Sequence, residues 1–424
     1  MTTISVARRL SALVVLLGAV LLSQALAGAA ADTSPSAGQP AAKLPPPVVL
    51  DARVVGDGKR ARFVADLDAA VAVTVFTLAN PYRIIVDMPE VRFALPAATG
   101  TGGRGLVSAF RYGLISPGKS RIVLDLTAPV KIDKSFVIPP ADGQPARLVI
   151  DVVPTSRKEF LAAVERYRES QSVAAGEKQE RGLAPPVDKT DNKRTIVLDP
   201  GHGGIDSGAH GATGTLEKDV TLAFGKVLGD KLAATGLYTV LFTRTDDSFV
   251  SLGDRVALAR THNADLFVSI HANSFFGGGV RGATVYTVSD EASDKMAADL
   301  AASENQSDVL AGIDVSGEDS NEVKDILLDL TRRETRNFGV VFAQNLVKDL
   351  GVSIQMFKVP HQTASFKVLE APDVPSAMIE LGYLSNAGDE KLLLSPDWRV
   401  KTADSVERAI AAYFKTRVAQ GGSP

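Results

Sequence analysis

Five histidines occur in the chain, and two of them stand where a metal ion could be held. His202 follows an apolar run, in Asp199-Pro200-Gly201-His202-Gly203-Gly204, and His271 closes a second one, Phe267-Val268-Ser269-Ile270-His271. The C-terminal ends of strands are where open α/β sheets place their chemistry. Glu217 opens a helix-like run after a Gly/Thr loop. Two neutral imidazoles and one carboxylate leave a fourth tetrahedral position open, the requirement of a catalytic zinc, which would acidify a water and polarise a carbonyl. Glu380, in Met378-Ile379-Glu380-Leu381, lies near the end of a third apolar run. A carboxylate buried there needs a counter-charge or a chemical task; beside such an ion it can take a proton from an attacking water and pass it to a leaving amine. Each residue also has a plainer reading: a strand-end histidine held by hydrogen bonds, a first-turn glutamate facing the helix N-terminus, a carboxylate binding loop amides. Gly201, Gly203 and Gly204 suggest a phosphate cradle, but neither Gly-Lys-Ser/Thr nor a full dinucleotide fingerprint is present.

Composition narrows the chemistry. The 424 residues include no cysteine, which excludes disulfide scaffolds, thiolate zinc, iron–sulfur clusters and cysteine nucleophiles together. Any metal must be held by His, Asp or Glu. A formal net charge of −3 argues against nucleic acid as a partner. Residues 1–31 carry Arg8-Arg9, an apolar stretch over 10–26 and small residues before Asp32, the pattern of a secretory signal peptide. An uncleaved membrane anchor is the alternative, and the paired arginines weakly resemble a twin-arginine export signal. No other stretch is long and apolar enough to span a bilayer, so the mature protein is expected to be soluble and outside the cytoplasm, with no stable membrane span.

The elements that must position these residues fall into distinct regions. Residues 32–47 are rich in Pro, Ala and Ser and read as a flexible tether. Residues 48–154 hold short β-rich runs with a weak repeat: Arg62–Asp66, Arg83–Asp87, Arg121–Asp125 and Arg147–Asp151, each Arg, three apolar or small residues, then Asp. Period 2 puts Arg, the middle apolar residue and Asp on one side of each strand. This predicts a small all-β, sandwich-like module, mildly cationic, with cross-strand Arg–Asp pairs on a solvated face. Residues 155–192 read as a partly helical linker. Residues 193–418 alternate strand-like runs (195–199, 239–243, 265–271, 283–288, 376–381) with helix-like ones (217–234, 252–261, 292–304, 322–348, 405–417), predicting an α/β domain with a mostly parallel central sheet. Residues 419–424 form a tail.

Together Val197–Gly204, Glu217-Lys218-Asp219, Thr243-Arg244-Thr245-Asp246, Ser269-Ile270-His271-Ala272-Asn273 and Glu380–Asn386 resemble the catalytic domain of zinc-dependent N-acetylmuramoyl-L-alanine amidases of the AmiC-like type. The resemblance implies that His202, Glu217 and His271 bind one zinc ion and that Glu380 is the catalytic carboxylate. It also implies hydrolysis of the amide joining N-acetylmuramic acid to L-alanine in peptidoglycan, in the periplasm, for daughter-cell separation and wall remodelling. The region 48–154, through Arg83–Pro89 and Arg121–Pro129, is similar to AMIN domains, which target such amidases to the cell wall at the division site.

The acidic excess of the second domain lies in residues 289–334, within a connection far longer than a βα crossover needs. The resemblance implies that this insert blocks the cleft until an activator protein, of the LytM-domain type, displaces it. An acidic side chain filling zinc's open position would do so; Glu291 and Glu304 are the candidates, Glu291 favoured for its nearness to a strand end. His361 is a candidate for contact with substrate or the developing oxyanion, and Asn273 and Arg255 for substrate contact or support of the site. Two rival readings remain: a catalytically silent cell-wall-binding regulator of the same fold, and a zinc carboxypeptidase acting on the same polymer.

Overall fold

The computed structural model describes residues 45–96, 99–176, 193–274, 279–313 and 326–419. The signal peptide read at 1–31, nearly all of the tether, the linker's end at 177–192, residues 314–325 of the insert and the tail beyond 419 lie outside the described residues.

Nine strands build the first module: β1 (Val48–Gly56), β2 (Ala61–Leu67), β3 (Thr74–Leu78), β4 (Arg83–Pro89), β5 (Arg92–Phe93), β6 (Val107–Ser116), β7 (Lys119–Leu126), β8 (Val130–Ile138) and β9 (Ala146–Pro154). They form a five-stranded sheet, β5-β1-β2-β9-β8, and a four-stranded sheet, β3-β4-β7-β6. Phe63, Leu148 and Ile150 of one sheet and Ile84, Val86, Ile122 and Leu124 of the other share one core, so the module is the expected sandwich.

The four Arg…Asp runs lie on β2, β9, β4 and β7, and antiparallel register sets Arg opposite Asp in both sheets. Arg62 faces Asp151 and Asp66 faces Arg147; Arg83 faces Asp125 and Asp87 faces Arg121. Arg62 binds Asp151 through two hydrogen bonds of 2.6 and 2.7 Å, and Arg121 binds Asp87 at 2.6 and 2.9 Å. The expected solvated face exists on one sheet only. Arg62 and Arg147 keep side chains 47% and 39% exposed, whereas Arg121 is 9% exposed and Arg83 is buried. The second face is covered by the α/β domain: Ile85 and Val123 pack with Ile205, Phe249 and Ala311.

Helix α1 (Arg157–Gly176) follows the sandwich; its Tyr167 stacks on Phe76 of β3, ring centroids 3.9 Å apart. The α/β domain then runs β10 (Arg194–Pro200), α2 (Glu217–Ala234), β11 (Tyr238–Phe242), α3 (Leu252–Thr261), β12 (Leu266–His271), β13 (Ala283–Val288), α4 (Lys295–Glu304), α5 (Ser307–Leu310), α6 (Ile326–Ser353), β14 (Met356–Ala364), β15 (Ser376–Glu380), α7 (Ala387–Leu393) and α8 (Pro396–Ala419). The sheet order is β11-β10-β12-β15-β13-β14. All neighbours are parallel except β13 and β15. Alternation divides the strands between two cores, as a sheet covered on both faces requires. Ile196, Leu198, Val268, Ile270 and Ile379 meet α2, α6 and α8; Val197, Phe267 and Met378 meet α3 and α4. No helix of the described residues is long and apolar enough to cross a membrane.

Sequence periodicity misses β14, where Lys358 and Pro360 interrupt the apolar pattern. Both belong on an edge strand, which β14 is. Helix α8 starts at Pro396 rather than 405, a residue suited to a first helical turn because its missing N–H would have no partner there.

Candidate metal centre

The parallel strands deliver the site at their carboxyl ends. His202 follows β10 in a left-handed conformation, φ +61°, in a loop pinned by two arginines. Arg255, almost wholly buried, donates to Asp199 Oδ1 (2.7 Å), Pro200 O (2.9 Å) and His202 O (2.8 Å). Arg244 donates to Pro200 O and Gly201 O, both at 2.9 Å. Asp199 also accepts from the hydroxyls of Thr243 and Ser269; burial raises its pKa, but Arg255 and these donors outweigh that and hold it below the ordinary value. Gly201 is required by packing: a Cβ there would stand 2.4 Å from the His271 ring.

Glu217, the first residue of α2, is fully buried. Its Oε1 accepts from Ala272 N–H and its Oε2 from Ala209 N–H, both at 2.8 Å. The same oxygens stand 3.2 Å from His271 Nδ1 and 3.2 Å from His202 Nε2. Glu304, the last residue of α4, places Oε2 3.4 Å from His202 Nε2 and 3.2 Å from His271 Nδ1. Ligating atoms of His202, His271 and Glu304 all fall within 4.8 Å of one another. His202 Nε2 is buried and makes no hydrogen bond among the described residues, although its ring is oriented by Nδ1, 2.9 Å from Asp206 Oδ2. An Nδ1–H donated to Asp206 leaves the Nε2 lone pair aimed at the other donors, as histidine ligands require. This donor set fits a divalent ion.

The charges corroborate the crowding. Burial depresses the His202 imidazolium, but Glu217, Asp206 and Glu304 overcome it and raise its pKa well above the ordinary value. His271 is raised against burial mainly by Glu304. Burial would raise Glu217, yet His202 and His271 hold it well below the carboxylate range; Asp206, likewise opposed by burial, is pulled down to about 2 mainly by His202. Glu304 stays raised because burial outweighs the imidazoles, and burial pushes Glu380 up to about 8.

Glu380 ends β15, its Oε1 buried without a hydrogen bond among the described residues and its Oε2 accepting from Asn273 N–H at 3.0 Å. The Asn273 side-chain amide donates to Glu304 Oε1 at 2.8 Å, so Asn273 links the two carboxylates. The structure thus brings His202, Glu217, His271, Asn273, Glu304 and Glu380 together, with Arg255 behind them. Glu291 is exposed, its N–H donating to Ser289 Oγ at 3.3 Å; the acid that reaches the histidines is Glu304, because α4 carries the chain back across the sheet before it ends. His361 lies on edge strand β14, where its Nε2 meets Thr287 Oγ1 at 3.0 Å, and β13 separates it from Glu380. Sequence reading passed over Asp206, although an acid four residues beyond a candidate ligand is a usable signal. A cavity of about 660 Å³ opens onto the centre, lined by His202, Glu217, Asn273, Glu304, Ser307 and, from the β module, Arg111.

Fold and site define a two-domain protein with a buried His/Glu centre at the carboxyl edge of an α/β sheet. Residues 196–412 match the family described as N-acetylmuramoyl-L-alanine amidase, and 51–152 match the AMIN domain. The chain is 32% identical to N-acetylmuramoyl-L-alanine amidase AmiC of Neisseria meningitidis, across 93% of this chain and 97% of that one. It is 33% identical to AmiC of Escherichia coli, across 80% and 83% respectively. To the Escherichia coli AmiA it is 36% identical over 61% of this chain and 92% of that one. The chain belongs to the N-acetylmuramoyl-L-alanine amidase family.

Proposed function

We propose that this amidase of the AmiC type binds one zinc ion through His202, Glu217 and His271, that Glu380 moves the proton during hydrolysis, and that Glu304 holds the resting enzyme shut. Its family activity is cleavage of the amide between N-acetylmuramic acid and L-alanine in peptidoglycan. The observation carrying the metal assignment is the buried His202 Nε2, without a hydrogen bond among the described residues and within 3.4 Å of two carboxylates. When bound, zinc supplies a Lewis acid that polarises the scissile carbonyl and acidifies a water.

The remaining work falls to side chains of this chain. Asp206 fixes the His202 tautomer, the Ala209 and Ala272 N–H groups keep Glu217 in place, and the two imidazoles keep it ionised. Glu380 Oε1, buried and without a hydrogen bond among the described residues, takes the proton of the attacking water and returns it to the departing L-alanine nitrogen. A carboxyl whose burial lifts it toward neutral pH suits both halves of that transfer.

Glu304 lines the cavity that opens onto the centre. Its contacts with both imidazoles and Asn273 support a resting state in which it fills the open metal position, so the enzyme requires an activator, of the LytM-domain type, to withdraw the insert. The signal-like N-terminus supports export to the periplasm, where the AMIN domain would bring the enzyme to division-site wall for daughter-cell separation.

Mass spectrometry of digested muropeptides tests the reading. Free stem peptides beginning with L-alanine are expected. Shortened stems still attached to disaccharide would establish a carboxypeptidase instead, and unchanged wall in the presence of activator would establish a silent regulator.

A further inference from the structure

The arginines on the covered face of the β module grip one short stretch of backbone. Arg83 Nη1 donates to Val309 O, Arg111 Nε to Leu310 O at 3.3 Å, and Arg121 Nη1 to Ala311 O at 3.1 Å and Gly312 O at 2.8 Å. These four consecutive carbonyls end α5, the turn that follows α4 and its Glu304. Carbonyls at a helix end need partners, and guanidinium groups supply charge-assisted ones. The seat is also shaped for this segment: Ala311 and Ile313 pack with Phe76, Ile85 and Val123, and Gly312, at φ +72°, comes so close that a Cβ would stand 2.5 Å from Ile85 Cδ1.

Between the clamp and the metal centre the same segment is tied twice more. Ser307 Oγ donates to Asp206 Oδ2 at 2.5 Å, and Leu252 N–H donates to Asp308 Oδ1 at 2.9 Å. The β module also touches the His202 loop itself: Ile205 N–H donates to Leu114 O at 3.2 Å. Every residue from Ser307 to Gly312 is therefore held by a group outside its own segment, and Glu304 is three residues from the first of them.

We infer that the β module is the lock of the resting state: the Arg83, Arg111 and Arg121 face binds the end of α5, the turn that follows the plug helix α4, and keeps Glu304 in the metal centre. The module thereby gates catalysis as well as carrying it to the wall, and a force or ligand that lifts this face from residues 309–312 opens the cleft. The inference rests on the reading of Glu304 as the plug.

Two variants approach the clamp from opposite sides. Arg121→Ala removes the donor to two carbonyls while Asp87 keeps Lys119 at 2.7 Å; Gly312→Leu forces the segment off Ile85 without touching the ion pairs. In full-length, zinc-loaded protein without activator, each is expected to raise turnover of labelled peptidoglycan about tenfold, the scale set by one hydrogen bond to a charged group. Each should also speed amide hydrogen exchange across residues 304–313. Arg62→Ala, the matching arginine of the open sheet, is the control and should leave both readouts at parental level. The lock is overturned if Arg121→Ala and Gly312→Leu leave exchange and turnover at parental level while Glu304→Ala raises turnover, or if Arg62→Ala raises turnover equally. A Glu304→Ala protein no faster than the parent would instead overturn the plug reading, and the lock with it.

Discussion

His271 and Glu380 are register partners: the parallel ladder between β12 and β15 sets the last residue of one strand beside the last residue of the other. Pairing thereby puts a candidate ligand and a candidate proton carrier on adjacent strand ends, with no loop to position either. Their roles separate on substitution. Glu380→Gln is expected to keep one zinc per chain and lose about a hundred- to ten-thousand-fold in turnover, whereas His271→Ala loses the metal itself. Metal analysis beside turnover checks both; a Glu380→Gln protein that sheds zinc contradicts the assignment.

Asp206 orients His202 without joining the donor set. Asp206→Asn is expected to weaken zinc binding about 10- to 100-fold, the usual cost of losing such a partner. Competition with a chromophoric chelator measures it, and parental affinity would remove Asp206 from the site.

The metal-free centre should destabilise the protein as pH rises. His202, His271, Glu304 and Glu380 all have raised pKa values in the folded chain. Such groups contribute stability that is present below the unfolded pKa and lost as pH climbs through the folded one. The window opens near about 4.3 for the glutamates and about 6.5 for the histidines, and for Glu380 it ends at about 8. Glu217 and Asp206 are lowered, so their contributions vanish only in acid. Metal-free protein is thus expected to melt at a lower temperature at pH 9 than at pH 6. Added zinc should narrow or reverse that difference, because its ligands must be deprotonated. A metal-free melting temperature that rises between these pH values would refute the account.

Arg255 and Asp199 form a buried pair at 2.7 Å. Arg255→Met takes away the guanidinium bound to Asp199 and leaves it two hydroxyl donors, a loss of about 3–5 kcal/mol of stability. Urea unfolding reads it; a loss below about 1 kcal/mol, the range of exposed pairs, would show that the pair is not needed.

Much of this was legible from residue order. The apolar runs before His202, His271 and Glu380 announce parallel strands, and α2 and α3 fall where periodicity puts them. The Arg…Asp repeat announces its cross-strand pairs through period 2 alone. What the sequence left open depends on distant pairing. Whether an acidic side chain reaches the histidines turns on how α4 crosses the sheet, so nearness along the chain favoured Glu291 over Glu304. Whether an Arg–Asp face is wet or covered depends on which sheet meets the α/β domain, and the four runs look alike. Strand β14 escaped because an edge strand tolerates Lys358 and Pro360.

The sandwich carries its arginine–aspartate cassette in duplicate, and among the described residues only one edition reaches the α/β domain. Arg62 and Arg147, paired with the buried Asp151 and Asp66, present outward the chemistry that Arg121 and Asp87 present inward. The protein can therefore grasp its own backbone with one hand and keep an equivalent grip open to whatever it meets.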